Sequence, residues 1–432
     1  MNFPLPNSRV RLAVLFSTCI LALFLCYFGL RNALATYYLN FDTRSGYQHA
    51  VRFEPANSRN WFFLGRSYLY DFEEPDAALA VQNLRKAVAL DPYSAEALLD
   101  LAIAYDGEGD TANARTAFLA AQRVYPLSAD AAWRYGNFLL RQGEQDAAFR
   151  QIRQAVELDP KRAAEAFSVA LRVQPDARIL LDRAIPSSTS IYLPILHSLS
   201  AAGDLENAQI VWNRLISLQQ KVSMADMVAF IDEFFRQRRI AEGAHAWSEA
   251  VSMMKNPPPP DPADSLIWDG SFESGYSGGG FAWHFIPVTA DVQIAFDPSE
   301  KHSGTQSLRL LFNGHRNLSF EDACHNINPV PGQRYLLSAW VKTQQLTSSE
   351  GIRLQVFVYA AGSNQQPVVT EEVHGTQPWK QLQLSWVDPP GAEFGSVCVK
   401  RYMSGMPGSN IQGAAWIDDV SLVPANEDSP KP

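Results

Sequence analysis

Three prolines at a constant spacing constrain the fold more than any other feature of this chain. Pro92, Pro126 and Pro160 are each 34 residues apart, and the residues between Pro92 and Pro126 fit a pair of helices with glycines in the turn. One helix pair cannot bury its own apolar face, so a repeated pair predicts an α-solenoid with a continuous core and an extended concave surface. Small and large apolar residues alternate in this unit as two closely packed helices require: Leu98, Leu101, Ala102, Tyr105, Ala114, Phe118 and Ala121.

A 34-residue helix pair with this signature resembles the tetratricopeptide repeat (TPR). The preceding unit opens with the matching set Trp61, Leu64, Gly65 and Tyr68, and the resemblance covers roughly residues 45–160. Two further helix pairs, Ile191–Leu218 and Met224–Met254, are predicted as degenerate repeats. We therefore predict a TPR-type α-solenoid over residues 36–254, and the resemblance implies a protein segment as its partner on the concave face.

The N-terminal region carries an apolar run from Leu12 to Leu30, 19 residues without a charge. A helix of this length spans ~30 Å of hydrocarbon. We predict a single-pass anchor over residues 1–35 with a short cytoplasmic tail, placed in the inner (cytoplasmic) membrane with the body on the periplasmic or extracytoplasmic side. A cleaved signal peptide is the alternative, since Ala33-Leu34-Ala35 is an A-x-A pattern, although the run is longer than a usual signal-peptide core.

The composition changes at Lys255–Ser265, where four consecutive prolines predict an extended, semi-rigid linker over residues 255–265. From Leu266 onward, helical periodicity gives way to short alternating runs such as Tyr335–Val341 and Ile352–Val358, separated by turn residues. Such runs predict an antiparallel β-sandwich, a jelly roll, over residues 266–424. We expect residues 425–432 to form a disordered tail. The predicted fold class is thus multidomain, with α and β domains.

Fragments within the predicted sandwich occur in a recognisable order. Asp269–Glu273 opens it, Ser303-Gly304 and Val330–Gly332 follow, and Trp416–Leu422 closes it. This order resembles the galactose-binding-like jelly rolls of carbohydrate-binding modules of families four, nine and twenty-two.

That resemblance implies a structural calcium ion where the first and last strands meet. Glu273 with Asp418 or Asp419 would be oxygen ligands, although calcium needs six to eight oxygens in all. The alternative is that Glu273 caps the N-terminal turn and Asp419 forms a surface pair.

The resemblance also implies a carbohydrate ligand, since aromatic rings stack on sugar rings in the sugar-binding members. The candidates are Tyr276, Trp283, Tyr359, Tyr402 and Trp416, of which Tyr276 and Trp283 flank three consecutive glycines, Gly278 to Gly280. We predict Tyr276, Trp283 and Tyr402 as ligand contacts. Core packing is the competing explanation for each of these aromatic residues.

Two cysteines of this region, Cys324 and Cys398, are open to two interpretations. They are either small buried residues or a disulfide between two strands, and the disulfide requires a location outside the cytoplasm.

Charge and motifs exclude several functions. A formal net charge of −9, without a Lys/Arg cluster, argues against a nucleic-acid partner. The chain carries no nucleophile elbow, zinc-binding helix motif or phosphate-binding loop, so we do not expect an enzyme.

The expected function is a non-catalytic, membrane-anchored scaffold with a protein-binding solenoid and a carbohydrate-binding jelly roll. Its concrete version is exopolysaccharide or cell-envelope assembly. The first alternative is a jelly roll that is a structural or protein-contact module, and the second is a glycan-active enzyme or its subunit.

Overall fold

The computed structural model describes residues 8–360 and 366–425, which form two compact units, one ending at Ser187 and the other beginning at Ser188. Residues 1–7 of the predicted cytoplasmic tail and residues 426–432 of the predicted disordered tail lie outside the described residues.

The described part of the first unit is helical. Its helices are α1 (Ser8–Leu39), α2 (Arg44–Phe53), α3 (Ser58–Leu69), α4 (Ala77–Leu90), α5 (Ala95–Gly107), α6 (Thr111–Val124), α7 (Ala129–Arg141), α8 (Gln145–Leu158), α9 (Ala163–Val173) and α10 (Ala177–Arg183), with a 3-10 turn at Pro160–Arg162 between α8 and α9. The predicted repeats are confirmed, because α3–α4, α5–α6 and α7–α8 each pack as a hairpin and successive hairpins pack on each other.

Local sequence explains where these helices begin and how closely they pack. The Ser94 hydroxyl accepts from the Ala97 N–H at 3.3 Å, and Asp110 accepts from the Asn113 N–H at 3.1 Å, which caps both helices of one hairpin. Gly65 of α3 lies so close to Leu84 of α4 that an added Cβ would come within 2.5 Å of the leucine side chain. Glycine at this position therefore sets the close approach of the two helices.

Helix α1 is a single unbroken helix that is long and apolar enough to cross a membrane. Its last turns pack on α2: Arg31 donates from Nε and Nη2 to the Phe53 carbonyl at 2.8 and 2.6 Å, and Tyr38 stacks on Phe53 at 5.6 Å. Ala35 is 1% exposed. The end of the apolar helix is thus also the first element of the helical array.

The second unit begins with two more helix pairs, α11 (Thr189–Ala201) with α12 (Leu205–Ser217) and α13 (Met224–Arg236) with α14 (Ile240–Met253). Helix pairs are thus present where the sequence predicted them, and that they are degenerate repeats stays a prediction. Their core contains large buried rings, since Trp212 packs on Phe230 at 4.9 Å and Phe230 on Phe234 at 5.0 Å.

Strands follow from residue 283 and confirm the predicted antiparallel sandwich. They are β1 (Trp283–His284), β2 (Val292–Asp297), β3 (Ser307–Asn313), β4 (Phe320–Ile327), β5 (Arg334–Leu346), β6 (Arg353–Ala360), β7 (Val368–Val369), β8 (Gly375–Val387), β9 (Ala392–Arg401) and β10 (Gln412–Pro424). The order is β1-β4-β9-β6-β7 in the first sheet and β2-β3-β10-β5-β8 in the second sheet. Side chains alternate along strands such as β2 and β5, so every second residue there enters the shared core. Leu354, Val356, Val397 and Ile417 are among the core residues.

The proline tract differs from the expected spacer. The Asp261 carboxylate accepts from the backbone N–H groups of Asp269 and Gly270 at 2.7 and 2.9 Å, which holds the tract against the sandwich. The hairpin α13–α14 also packs directly on the sandwich, with Phe235 on Phe281 at 4.9 Å. The last helix pair and the sandwich are therefore joined by side-chain contacts as well as by the chain.

Candidate functional site

The outer surface of the first sheet, which we call the open face, carries a row of side chains that point away from the core. On β6 they are Arg353, Gln355, Phe357 and Tyr359, every second residue. The β9 neighbours across the ladder are Lys400, Cys398, Ser396 and Phe394. Six residues of strand cover about 20 Å, so the row is longer than a single sugar ring.

Aromatic rings occupy one end of the open face. Tyr359 and Phe394 stack with their centroids 5.4 Å apart and their planes 29° apart. Phe357, on the same strand face as Tyr359, is 37% exposed. These three rings, which we call the aromatic platform, leave apolar surface partly exposed to a ligand.

Polar groups are held in a network at the other end of the open face. The Tyr402 hydroxyl donates to Gln355 Oε1 at 3.2 Å, and Gln355 Nε2 donates to Glu321 Oε1 at 2.7 Å. Lys400 forms an ion pair with Glu321, and Arg353 lies over the Tyr402 ring at 5.0 Å. These contacts fix donors and acceptors in place beside the aromatic platform.

A disulfide lies between the two ends. The structure joins Cys324 of β4 to Cys398 of β9, which are directly opposite each other in the ladder with their Cα atoms 4.1 Å apart. Cys19 and Cys26 of α1 are free and exposed.

The three predicted ligand contacts do not come together. Trp283 is 1% exposed and packs in the core on Phe272 at 5.1 Å and on His325 at 5.4 Å, so the expectation that it stacks on a sugar is wrong. Burial lowers the pKa of His325 to about 3, and its Nε2 accepts from the Trp268 N–H at 3.0 Å. Only Tyr402 lies on the open face.

Tyr276 and the three glycines serve to dock the helices. The Asp232 carboxylate of α13 accepts from the Gly280 N–H at 2.7 Å, and a Cβ at Gly280, whose φ is +66°, would come within 2.7 Å of the Trp247 ring of α14. Burial, followed by the nearby Asp232 charge, raises the pKa of Tyr276 to about 12. The glycines permit this loop of the sandwich to pack closely on α13 and α14, and Tyr276 is half-buried beside the glycines.

The residues implied as calcium ligands are already hydrogen-bonded. Glu273 Oε1 accepts from the Thr305 N–H at 2.7 Å, and Asp418 Oδ2 accepts from the backbone N–H groups of His302 and Ser303 at 2.7 and 3.1 Å. Asp419 binds the His302 ring at 2.6 Å.

This donor set does not fit calcium. Backbone N–H groups donate to these carboxylates, whereas a calcium ion would need the carboxylate oxygens to face a shared centre. Over residues 8–360 and 366–425, no group of three or more His, Cys, Asp or Glu side chains is close enough to hold a metal ion. Calcium therefore stays a prediction from the resemblance.

The outer surface of the second sheet, which we call the closed face, also carries aromatic residues. Trp416 is 6% exposed: its Nε1–H donates to Asp297 at 2.9 Å, and Lys342 lies over its ring at 5.7 Å. Trp340 is covered by the His302 ring, 4.0 Å away and nearly parallel. Hydrogen bonds from Ser299 and Trp416, together with Arg309, hold the pKa of Asp297 at about 2 despite its burial.

The first helices of the repeats in the first unit carry a polar ladder. The Tyr70 hydroxyl donates to Asp100 Oδ1 at 2.8 Å, and Arg134 Nη1 donates to both Tyr70 and Asp100 at 3.1 and 3.4 Å. Arg66 pairs with the other Asp100 oxygen at 3.2 Å. Burial raises the pKa of Asp100, although its partners oppose this.

An open cavity of about 470 Å³ lies beside this ladder. It is lined in part by Arg44, Tyr47, Phe63 and Arg66. Aromatic and guanidinium groups on one surface are the residue types enriched at protein interfaces.

The platform residues Phe357 and Phe394 were missed from the sequence. The signal was present in Arg353–Tyr359, where every second residue is polar or aromatic. The partner strand could not be predicted, because β6 pairs with β9, a strand much later in the chain, as well as with β7, its neighbour in sequence.

Comparisons with known proteins find a family model that matches part of the chain. The tetratricopeptide repeat model matches residues 99–163. No curated protein sequence matches the chain.

Several solved structures resemble parts of the chain. "Family 16 Carbohydrate Binding Module-2" is 19% identical, over 37% of this chain and 99% of that chain, with a TM-score of 0.28. The C-terminal family 22 carbohydrate binding module of Clostridium thermocellum Xyn10B is 18% identical, over 40% and 100%, with a TM-score of 0.30. The MamA protein is 19% identical, over 44% and 91%, with a TM-score of 0.30. These scores are too low to support an argument about ligands.

The helix pairing and the family match agree over part of the chain. Residues 99–163 match the tetratricopeptide repeat model within the paired helices α5 to α8, and the strands between Trp283 and Pro424 form an antiparallel β-sandwich.

Proposed function

We propose that this protein is a non-catalytic, membrane-anchored scaffold whose helical repeats bind a protein segment and whose sandwich binds carbohydrate on the open face. The observation that carries the carbohydrate proposal is the stacked pair Tyr359–Phe394 next to the Gln355 network. Aromatic rings suit the C–H face of a sugar, and the partly exposed Tyr402 hydroxyl and Glu321 carboxylate, which the buried Gln355 holds in place, suit its hydroxyls. The proposed setting is exopolysaccharide or cell-envelope assembly at the inner membrane.

The anchor is proposed to remain attached. Cleavage after Ala35 would cut a continuous helix at a buried residue and remove Arg31, which binds the Phe53 carbonyl. The exposed apolar run of α1 supports retention in a bilayer. The disulfide supports an oxidising compartment for the sandwich.

The carboxyl groups with raised pKa values support a non-catalytic role. Burial raises the pKa values of Asp269 and Asp418 to about 6, but Asp269 caps its own turn and Asp418 holds the loop at His302 and Ser303. Asp269 accepts from the Ser274 N–H at 3.1 Å, and Asp418 accepts from those of His302 and Ser303. Such groups stabilise loops.

The test is a glycan array probed with the full chain in detergent micelles. We expect binding to at least one class of glycan, with a loss of at least tenfold in Tyr359→Ala and in Phe394→Ala. Trp379→Ala is the matched control, because Trp379 is a half-buried aromatic residue of the second sheet. Its binding should stay within twofold of the unmodified chain.

Two results would contradict the proposal. Absent binding by a folded chain would favour the alternative, in which the sandwich is a structural or protein-contact module. Release of a shortened glycan, lost on changing one acidic residue, would favour the second alternative, a glycan-active enzyme.

A further inference from the structure

A cavity of about 430 Å³ lies between α14 and the first residues of the sandwich, away from the open face. Small-molecule sites in proteins usually fall between about 300 and 1,000 Å³. Both walls belong to the second unit: α14 supplies Trp247 and Ser248, and the sandwich supplies Trp268, Phe281 and Asn328.

Aromatic rings form an angled wall of this cavity. Trp247 and Trp268 meet edge to face, with centroids 5.2 Å apart and planes 87° apart, and Phe281 lies 6.2 Å from Trp247. Trp268 is half-buried, so part of its ring is accessible from the cavity.

Polar groups complete the lining. Asp261, Ser248 and Asn328 are lining residues, and they provide a carboxylate, a hydroxyl and an amide. Aromatic rings with a few polar groups are the combination that binds a compact ligand with one apolar face and several hydroxyls.

We propose that this cavity is a second carbohydrate site, which takes a single neutral hexopyranose unit. The ring would lie on Trp268, and its hydroxyls would bind Asn328, Ser248 and Asp261. The sugar is neutral because the Asp261 carboxylate would repel a uronic acid. This site shares no residue with the open face, so each can fail without the other.

The test uses saturation-transfer NMR on the full chain in detergent micelles. The probes are methyl glucoside, methyl galactoside, methyl mannoside, N-acetylglucosamine and glucuronate, each added alone. We expect transfer to at least one neutral sugar, reduced at least fivefold in Trp268→Ala and in Ser248→Trp. Ser248 is exposed on α14, so the second variant fills the cavity without disturbing the core.

Tyr359→Ala, on the open face, is the matched control and should leave this transfer unchanged. Absent transfer to all four neutral sugars would overturn the proposal, as would transfer that both cavity variants leave intact. Transfer lost only in Tyr359→Ala would overturn the cavity site while supporting the open face. Equal transfer to glucuronate would overturn the assignment of a neutral sugar.

Discussion

The two outer surfaces of the sandwich both carry aromatic residues but use them differently. On the closed face, Trp416 is bound by Asp297 and covered by Lys342, and Trp340 is covered by His302. On the open face, Tyr359 and Phe394 stack on each other, and Phe357 remains 37% exposed. Neighbouring polar or ring groups thus cover both tryptophans of the closed face, whereas the open face leaves ring surface exposed, most of all at Phe357.

The largest test of this comparison replaces one ring on each face. Trp416→Ala should lower the free energy of unfolding by about 3–5 kcal/mol, because it empties a buried site and leaves Asp297 short of a donor. Phe394→Ala should cost no more than about 1.5 kcal/mol, since that ring is partly exposed. Urea unfolding followed by fluorescence measures both, and equal losses would erase the distinction between the faces.

The disulfide gives the open face its own stability. Replacing Cys324 and Cys398 by alanine should lower the free energy of unfolding by about 2–4 kcal/mol, because the bridge closes a loop between residues 74 apart in sequence. The same experiment on Cys19 and Cys26, which are free, is the control and should change little. No loss in the first variant would show that the open face is held by its ladder alone.

The closed face should respond to pH through Asp418. Its folded pKa of about 6 lies above the ordinary value near 4, so the folded state keeps a proton that the unfolded state has lost. Stability should therefore fall as the pH rises from about 4 to 7, by on the order of 1–2 kcal/mol. Thermal unfolding across this range measures the slope, and Asp418→Asn should flatten it. An unchanged slope in that variant would assign the effect to another group, such as Asp269.

The smallest expected effect concerns calcium near the closed face. Because the carboxylates of Glu273, Asp418 and Asp419 already accept hydrogen bonds, a chelator should shift the melting temperature by less than about 2 °C. Differential scanning calorimetry with EDTA, then with excess calcium, measures this shift. A calcium-dependent rise of more than about 5 °C would restore the implied metal site.

The sequence predicted the architecture better than the site. Proline spacing and small residues such as Ala102 and Ala121 specify helix pairs locally, so the repeats were readable. Strand alternation likewise revealed the sandwich. The prediction of Trp283 as a ligand contact was wrong because the glycines beside it suggested an open loop, whereas Gly280 is needed for close contact with Trp247.

The pairing of strands that are far apart in the chain could not be predicted from the sequence. The open face depends on β9 lying between β4 and β6, which places Phe394 beside Tyr359 and Cys398 beside Cys324. Such neighbours are far apart in the chain. Alternation with a period of two residues shows on which face of the sheet a residue lies, but not which other side chains cover it.

The continuity of α1 has a mechanical consequence for any partner of the repeats. If Leu12–Leu30 lies in the hydrocarbon, as proposed, the contact between Arg31 and Phe53 lies at the lipid surface, and α2, which packs on α1, lies next to it. Because α1 is continuous, it would then fix the height and the orientation of α2 relative to the membrane, so a rotation of α1 would rotate α2 with it. In the proposed arrangement, a protein that binds the first repeat must therefore reach it beside the bilayer.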